Sequence, residues 1–169
     1  MHYNRQPYKG DDTSGWRDKN WFENHIWNSI LHFFPDEVGS VLDVGCGNGR
    51  FTPYLDTIAE RVVAIDPVET IHSSYLKNVS EFSQKHFHEL KVTETFDAVF
   101  FFASFMIISE QNQCHIREKC KKLLNEGGLV VIYIDARDLN HVSDNFPTYE
   151  VVKTSDPKTC VVVVRYEYL

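Results

Sequence analysis

The chain has 169 residues, 43% of them hydrophobic and 24% charged, which is the composition of an ordinary soluble globular protein. This length predicts one domain and leaves no room for a second domain with a core of its own. The formal net charge of −7 creates no general field that would hold a polyanion, which argues against nucleic acid as a partner without excluding a local basic patch.

Four widely spaced cysteines without a secretory signal pattern do not support a disulfide framework, so we expect a reduced, cytoplasmic compartment. Zinc sites combine four ligands from closely spaced pairs, and Cys114, His115 and Cys120 do not supply such a set, so no metal is expected. The most apolar run, residues 98–108, is shorter than the roughly 20 residues of a membrane helix, and no membrane partner is expected.

The N-terminal part of the chain predicts an arm followed by a helix. Residues 1–16 show neither helical nor strand periodicity and predict an irregular arm, with one domain over residues 17–169. Because the arm is rich in aromatic residues, it is predicted either to pack on the domain or to close over a site as a lid. Apolar residues at helical spacing then predict an amphipathic helix over residues 17–34, which Pro35 ends.

Short β-rich runs and helical segments alternate along the rest of the chain. Strands are predicted over residues 40–44, 61–65, 79–83, 96–102 and 129–134, and helices over residues 50–60, 68–77 and 109–124, the last ended by Gly127-Gly128. Residues 149–154 and 159–166 flank a turn sequence and predict a hairpin. This alternation predicts an α/β fold: a single doubly wound, mostly parallel sheet with helices on both faces and a C-terminal antiparallel hairpin.

A glycine-rich loop follows the first predicted strand. Gly45, Gly47 and Gly49 alternate with other residues and lead directly into a predicted helix. Glycines permit positive φ angles and let backbone N–H groups approach a ligand closely. In open α/β sheets, ligands bind in the crevice at the carboxyl ends of the strands. The pattern therefore predicts a ligand-binding loop; the alternative is a tight turn without a ligand.

Two residues beside the loop indicate the class of ligand. In the dinucleotide fingerprint GxGxxG, the third glycine would stand at the position of Arg50. Asp43 lies two residues before the first glycine, where a carboxylate repels a diphosphate and attracts an ammonium or sulfonium group. The loop therefore favours a cationic ligand over a dinucleotide.

Together these segments resemble the landmarks of the class I S-adenosylmethionine-dependent methyltransferases. The matching segments are Leu42 to Gly49, Ala64 to Pro67, Phe96 to Val99 and Leu123 to Gly128. The resemblance spans more than half of the chain. It implies S-adenosylmethionine as the methyl donor and S-adenosylhomocysteine as the product, and it implies that Asp66 accepts hydrogen bonds from the two ribose hydroxyls.

The resemblance also implies a set of cofactor-binding residues. These are Asp43, Gly45, Cys46, Gly47, Asn48, Gly49, Asp66, Pro67, His86, Phe87, Phe102 and Arg17. Many family members carry an Asp after the third strand that accepts the adenine amino group, but no acid stands there in this sequence. We therefore expect His86 or a backbone carbonyl to read the adenine, with the amide or ring of Phe87. Arg17 is expected to pair with the carboxylate of the cofactor's methionine part, and Arg50 is the alternative residue for this contact.

The segments predicted to face the methyl acceptor are short and contain few candidate acid–base residues. Methyl transfer needs an aligned nucleophile and little water more than acid–base groups. Residues 102–106 lack the Asn/Asp-Pro-Pro-aromatic sequence of family members that methylate nucleic-acid bases or glutamine amides. For an oxygen acceptor, His141, Asp135 or an arm residue is the candidate general base.

The sequence thus predicts a methyltransferase that acts on a small-molecule acceptor through oxygen or nitrogen. Only about fifteen residues separate the fifth strand from the hairpin, which by family analogy suits a small acceptor. Two alternatives stay open at this point. One is an RNA or protein methyltransferase, and the other is a catalytically silent S-adenosylmethionine-binding subunit of an active partner. The oligomeric state is not predicted.

Overall fold

The computed structural model describes residues 22–68, 71–108 and 115–169. The strands are β1 (Val38–Val44), β2 (Ala59–Asp66), β3 (Glu81–Gln84), β4 (Phe96–Phe102), β5 (Leu124–Asp135), β6 (Glu150–Lys153) and β7 (Thr159–Arg165). They form one seven-stranded sheet in the order β3-β2-β1-β4-β5-β7-β6. The first five strands pair in parallel, and β7 runs antiparallel between β5 and β6. The predicted doubly wound, mostly parallel sheet with a C-terminal antiparallel hairpin is confirmed.

Helical segments cover both faces of the sheet. The segment α1 (23–33) consists of π-helical Glu23–Trp27, α-helical Asn28–Ile30 and a 3₁₀ turn, Leu31–Phe33. The other helices are α2 (Thr52–Leu55), α3 (Ile116–Leu123) and α4 (Leu139–Asn145), and single 3₁₀ turns lie at Leu76–Asn78, Phe87–Glu89, Phe105–Ile107, Ala136–Asp138 and Tyr166–Tyr168. Buried apolar residues of α1 and α2 belong to one core cluster, and those of α3 and α4 belong to another.

The central strand β4 shows why both clusters form. Phe100 and Phe102 belong to the cluster that includes α1, whereas Val99 and Phe101 belong to the cluster that includes α3. Successive side chains of a strand point to opposite faces, so a continuous apolar run fills a core on each side. The continuous apolar character of this strand therefore reflects burial on both faces, as the sequence predicts.

Two predicted helices are much shorter than the sequence indicates. The helix predicted over residues 50–60 is only α2, because β2 begins at Ala59, which pairs with Val38 of β1. In the described part of residues 68–77, no helix forms apart from the start of the 3₁₀ turn. One reason is that the His72 N–H donates to the carbonyl of Asn48 at 3.0 Å and so is committed to the glycine loop.

The helix before β5 also ends earlier than predicted. It ends at Leu123, and Leu124 already pairs with Phe96 of β4. Gly127 does adopt a left-handed conformation, with φ +81°, but it lies within the irregular first part of β5 and not at the helix end. Strand pairing of Leu124 therefore ends the helix one residue earlier than its sequence pattern predicts. In the short polar stretch after β5, by contrast, the structure has a helix, α4, that the sequence did not predict.

Several predictions concern residues outside the described part of the chain. They are the arm over residues 1–16, Arg17 and the predicted helix start at Ser109. Within the described residues, no helix combines the length and the apolarity that crossing a membrane requires.

Asp97 joins three strands at the edge of the sheet opposite the glycine loop. Its carboxylate accepts hydrogen bonds from the N–H groups of Gly39 (2.7 Å) and Ser40 (3.0 Å) and from the Asn125 amide (2.7 Å). Burial raises the pKa of Asp97, but these three hydrogen bonds outweigh burial and hold that pKa below its ordinary value. Within the segment Phe96 to Val99, which matches the family, Asp97 therefore has a structural role.

We expect Asp97→Ala to lower the free energy of unfolding by about 1 to 3 kcal/mol, because charge-assisted hydrogen bonds to the starts of β1 and β5 are lost. Urea unfolding at pH 7 measures this. Since the folded pKa is lowered, the contribution of Asp97 is present at neutral pH and disappears as the pH falls through that pKa. Asp144→Ala, at an exposed position of α4, is the control and should change stability by less than about 0.5 kcal/mol.

Candidate functional site

The glycine loop lies at the carboxyl edge of the sheet, directly after β1. There β1 has β2 on one side and β4 on the other, so the chain order along the sheet reverses at this point. Crevices at such switch points are where open α/β sheets bind ligands. The N–H groups of Gly45 and Cys46 donate to the carbonyl of Ile65 at 2.8 and 3.2 Å, which fixes the loop against the end of β2.

The first two glycines of the loop have different surroundings. Both have left-handed backbones, with φ +70° at Gly45 and +57° at Gly47. A Cβ atom on Gly45 would lie 2.5 Å from the Cβ of Ser104, whereas a Cβ on Gly47 would have no atom within 4 Å. Gly45 is thus required by packing, and the surface at Gly47 is open to an approaching ligand.

Ser104 is the loop contact that the sequence analysis missed. It is buried, and its hydroxyl donates a hydrogen bond to the carbonyl of Val44, the last residue of β1. Ala103 before it has φ +58°, a conformation that costs a non-glycine residue about 1 to 2 kcal/mol. Together they bind the end of β4 to the glycine loop. Nothing in the local sequence marks a serine that packs against a residue 59 positions earlier.

Asp66 ends β2 and holds the loop from the other side. One carboxylate oxygen accepts from the Gly47 N–H at 2.9 Å and the other accepts from the Val68 N–H at 2.9 Å. A carboxylate offers about four acceptor positions, so both oxygens retain capacity for a hydroxyl group. Pro67, which follows, is exposed, and its carbonyl accepts from the Gln84 side chain at 3.3 Å.

Asp43 is the most unusual polar group of the described residues. It is 1% exposed, and neither oxygen of its carboxylate has a hydrogen-bond partner. Burial, and secondly the negative charge of Asp66, raise the pKa of Asp43 to about 7. A buried carboxylate without a donor is destabilising when ionised, so this position is suited to receive a cation.

The other loop residues have structural contacts. Burial raises the pKa of the Cys46 thiol, as do the carboxylates of Asp43 and Asp66, so this thiol is protonated and not a nucleophile. The side-chain oxygen of Asn48 accepts from the Arg50 N–H at 3.3 Å. Gly49 adopts φ +83° and completes the turn into α2.

The segment proposed for the adenine lies just after β3. The N–H of His86 donates to the Glu89 carboxylate at 2.9 Å, and its exposed ring stacks on His88 with 5.2 Å between ring centroids. The ring of Phe87 is buried edge-on against Phe101, with 5.4 Å between centroids. The Phe87 ring is therefore part of the core.

Phe102 is also a core residue. Its ring is buried and lies 5.4, 5.3 and 5.2 Å, between centroids, from the rings of Phe22, Phe51 and Phe100. This aromatic cluster brings the start of α1 to the carboxyl end of β4. Trp16 and Arg17, which precede α1, lie outside the described residues.

The two candidate bases lie at the end of β5 and shortly after it. Asp135 is the last residue of β5, and its carboxylate accepts from the Arg137 N–H at 3.2 Å and pairs with the Arg137 guanidinium at 3.2 Å. His141 is exposed on α4, and its carbonyl accepts from the Asn145 side chain at 2.8 Å. Both residues therefore lie at or after the carboxyl end of β5, at the same edge of the parallel sheet as the glycine loop. No group of three metal-ligating residues occurs within the ranges that the structure describes.

Comparisons with known proteins give a family and a set of similar folds. A family model described as a methyltransferase domain matches residues 41–128, a little more than half of the chain. No curated protein matched the chain in a sequence search.

Among solved structures, the N-methyltransferase NodS from Bradyrhizobium japonicum WM9 is 15% identical, with TM-score 0.68 over 88% of this chain and 98% of NodS. The 1,6-didemethyltoxoflavin-N1-methyltransferase from Burkholderia thailandensis is 19% identical, with TM-score 0.63 over 82% and 76% of the chains. An rRNA methylase from Streptococcus thermophilus is 20% identical, with TM-score 0.58 over 82% and 92%. The family model, the seven-stranded sheet and the glycine loop agree, and the chain belongs to the class I S-adenosylmethionine-dependent methyltransferases.

Proposed function

We propose that this methyltransferase transfers the methyl group of S-adenosylmethionine to a small-molecule acceptor, on oxygen or nitrogen, at the carboxyl edge of β1, β2 and β4. The observation that carries the proposal is the buried Asp43 carboxylate without a partner beside the open surface of Gly47. These features fit a cofactor that carries a positively charged group near the loop. When bound, S-adenosylmethionine supplies an electrophilic methyl group on a sulfonium.

In this proposal each residue of the loop has a definite task. Asp43 attracts the positive charge of the cofactor, and Asp66 accepts hydrogen bonds from the ribose hydroxyls with the acceptor capacity that its loop contacts leave. Gly47 permits close backbone approach. The remaining residues of the loop, Gly45, Cys46, Asn48 and Gly49, would keep its turn in shape and line the site. Pro67 would line the site from the end of β2.

The adenine would be read by backbone groups of His86 and Phe87 and by the exposed His86 ring. The burial of the Phe87 ring against Phe101 favours its backbone over its ring for this contact. Phe102 would contribute to the site indirectly, because its ring belongs to the aromatic packing that supports the end of β4. Arg17 remains our candidate for the cofactor carboxylate.

The acceptor would lie against the ends of β4 and β5. Between β5 and β6 the chain forms only a 3₁₀ turn and α4, which offers little material to enclose a bulky acceptor. Asp135, oriented by Arg137, and His141 are the candidate groups that take a proton from an oxygen acceptor. Two of the structural neighbours are N-methyltransferases by name, which supports a small acceptor, while the rRNA methylase keeps RNA as the alternative.

The decisive experiment incubates the protein with methyl-labelled S-adenosylmethionine and separate fractions of metabolites, RNA and protein. We expect label in the metabolite fraction. Label in RNA or protein instead would contradict the small-molecule proposal and support the macromolecular alternative. Binding of S-adenosylhomocysteine without label in any fraction, together with a copurifying protein, would support a silent subunit.

We expect Asp66→Asn to weaken binding of S-adenosylhomocysteine by about 1 to 3 kcal/mol, because charge-assisted hydrogen bonds to the ribose are lost. Isothermal titration calorimetry measures the change. Asp56→Asn is the control, since Asp56 is an exposed carboxylate that accepts one hydrogen bond, from Asn78 at 2.8 Å, whereas Asp66 is half-buried. Equal affinities of the two variants would move the ribose contact away from Asp66.

The two glycines should respond differently to alanine. Gly45→Ala should lower the free energy of unfolding by about 2 to 4 kcal/mol, because it combines left-handed strain with a clash against Ser104. Gly47→Ala should cost only about 1 to 2 kcal/mol of stability but weaken S-adenosylhomocysteine binding about tenfold or more. Thermal unfolding and calorimetry measure both.

Gly127→Ala is the control for this pair. Gly127 has φ +81° and no atom within 4 Å of a built Cβ, so it matches Gly47 in conformation and space but lies in β5. It should reproduce the stability loss of Gly47→Ala and leave ligand affinity unchanged. Weaker ligand binding in Gly127→Ala would show that the effect is not local to the loop.

Once an oxygen acceptor is identified, Asp135→Asn or His141→Ala should lower turnover about 100-fold, the usual contribution of a general base, with little change in S-adenosylhomocysteine affinity. Steady-state kinetics separate the two candidates. Asp144→Asn, an exposed carboxylate on α4, should retain wild-type turnover. If both candidate variants also retain it, proton removal does not depend on either residue.

A further inference from the structure

We propose that α3 and the segment after β3 form a docking surface for single-stranded RNA. The surface consists of five cationic side chains and is called the basic face below; they are Lys85, Lys91, Arg117, Lys119 and Lys122. The inference goes beyond the proposed function, because it concerns where a polyanion binds to the protein and holds for either class of methyl acceptor.

The charge of the chain is unevenly distributed, and the basic face is where it is positive. The whole chain has 17 Lys and Arg against 24 Asp and Glu, a formal net charge of −7. Residues 85–91 and 115–122 together contain six of these cationic residues and only two of the acidic ones, Glu89 and Glu118. The net charge of the two segments is therefore positive, and a polyanion is attracted to this part of the surface although the protein as a whole is acidic.

Tertiary contacts join the two segments into one surface. The Lys119 ammonium donates a hydrogen bond to the His88 carbonyl at 2.9 Å, which connects α3 to the segment after β3. A groove of about 170 Å³ is lined by Lys85, Lys91 and Leu123, the last residue of α3. Cations that are about 30 positions apart in sequence thus lie on the same side of the protein.

The acidic residues nearby leave the charges of the basic face unpaired. In residues 22–68, 71–108 and 115–169, none of the five cations forms an ion pair with a carboxylate. The two carboxylates that also line the groove, Glu81 and Glu94, pair with Arg61. Lys121 is not part of the basic face, because its ammonium donates to the Leu169 carbonyl at 2.7 Å.

Two exposed imidazole rings accompany these cations. The rings of His86 and His88 stack with 5.2 Å between centroids, and both residues are exposed. Proteins that bind single strands combine Lys and Arg, which contact phosphates, with exposed rings on which unpaired bases stack. Because His86 is assigned to the adenine of the cofactor, His88 is the ring that serves RNA. In a duplex the bases already stack on one another, so this combination favours a single strand.

Other anionic partners fit the same surface less well. The apolar residues of α3, namely Ile116, Cys120 and Leu123, are buried in the core, and its remaining residues are charged. Membrane surfaces bind helices through apolar insertion as well as through cations, and protein interfaces are centred on apolar or aromatic anchors. The exposed side of α3 supplies neither, whereas it supplies the cations that phosphates require.

Fluorescence anisotropy with a labelled single-stranded RNA of about 20 nucleotides and mixed sequence tests the proposal. Each phosphate that a cation neutralises releases counterions, which gives a slope of about −0.7 per contact in log affinity against log salt concentration. Five contacts predict an affinity about 100-fold lower at 200 mM KCl than at 50 mM KCl. No binding at 50 mM KCl, or equally tight binding of a fully paired RNA duplex, would overturn the proposal.

Charge reversal distinguishes the basic face from the charge of the whole protein. The double variant Lys91→Glu with Lys122→Glu loses two exposed cations, so it should bind the RNA about tenfold or more weakly at 50 mM KCl, with a salt slope smaller by about 1.4. Lys77→Glu with Lys153→Glu is the matched control, because both lysines are exposed, lie outside the basic face and change the net charge equally. An equal loss in the control contradicts the proposal, since binding then follows net charge alone.

His88→Ala tests the stacking contact. It should weaken RNA binding about fivefold and leave the salt slope unchanged, because a stacked base is lost and no phosphate contact is. Unchanged affinity of His88→Ala would remove stacking, and with it the argument for a single strand.

Two further ligands test the class of partner. Phosphatidylserine vesicles and poly-glutamate carry negative charge without bases, and we expect both to bind more weakly than the RNA at 50 mM KCl. Binding of either as tightly as the RNA would overturn the assignment to RNA. These measurements read binding and not methylation, so their failure leaves the proposed function intact.

Discussion

Burial of β1 on both faces is the constraint from which the site follows. The strand lies between β2 and β4, and the core clusters of α1 and α3 cover its two sides. Its backbone pairs with both neighbouring strands, while the Asp43 side chain is buried between them with no hydrogen-bond partner for either oxygen. A carboxylate kept in that position at a cost to stability is typical of a functional site, where binding supplies the missing partner.

The glycine loop is held by the strands on either side of β1. The Ile65 carbonyl and the Asp66 carboxylate hold it from β2, and Ser104 holds it from the end of β4. These contacts fix the loop through groups of the protein itself. Such preorganisation suits methyl transfer, an in-line displacement in which correct placement of donor and acceptor supplies much of the rate.

Residues that are far apart in sequence override local helical preference in several places. The helical pattern of residues 50–60 ends before Ala59, where β2 begins. The reason is that Ala59 pairs with Val38 of β1 in the sheet. Leu124 joins β5 by pairing with Phe96 although Gly127 has the left-handed backbone expected after a helix. Short helices contribute little free energy of their own, so tertiary pairing decides their length.

The sequence by itself determined the fold class, the hairpin and the family. The reason is that hydrophobic periodicity and the spacing of Asp43, the loop glycines and Asp66 are local signals. Only the tertiary structure decided that both oxygens of Asp43 lack a donor, that Ser104 packs on Gly45, and that the rings of Phe87 and Phe102 are core. Each of these depends on strands brought together from distant parts of the chain. A carboxylate's missing partner is a property of its neighbours in space, and the neighbours of a residue in sequence do not reveal it.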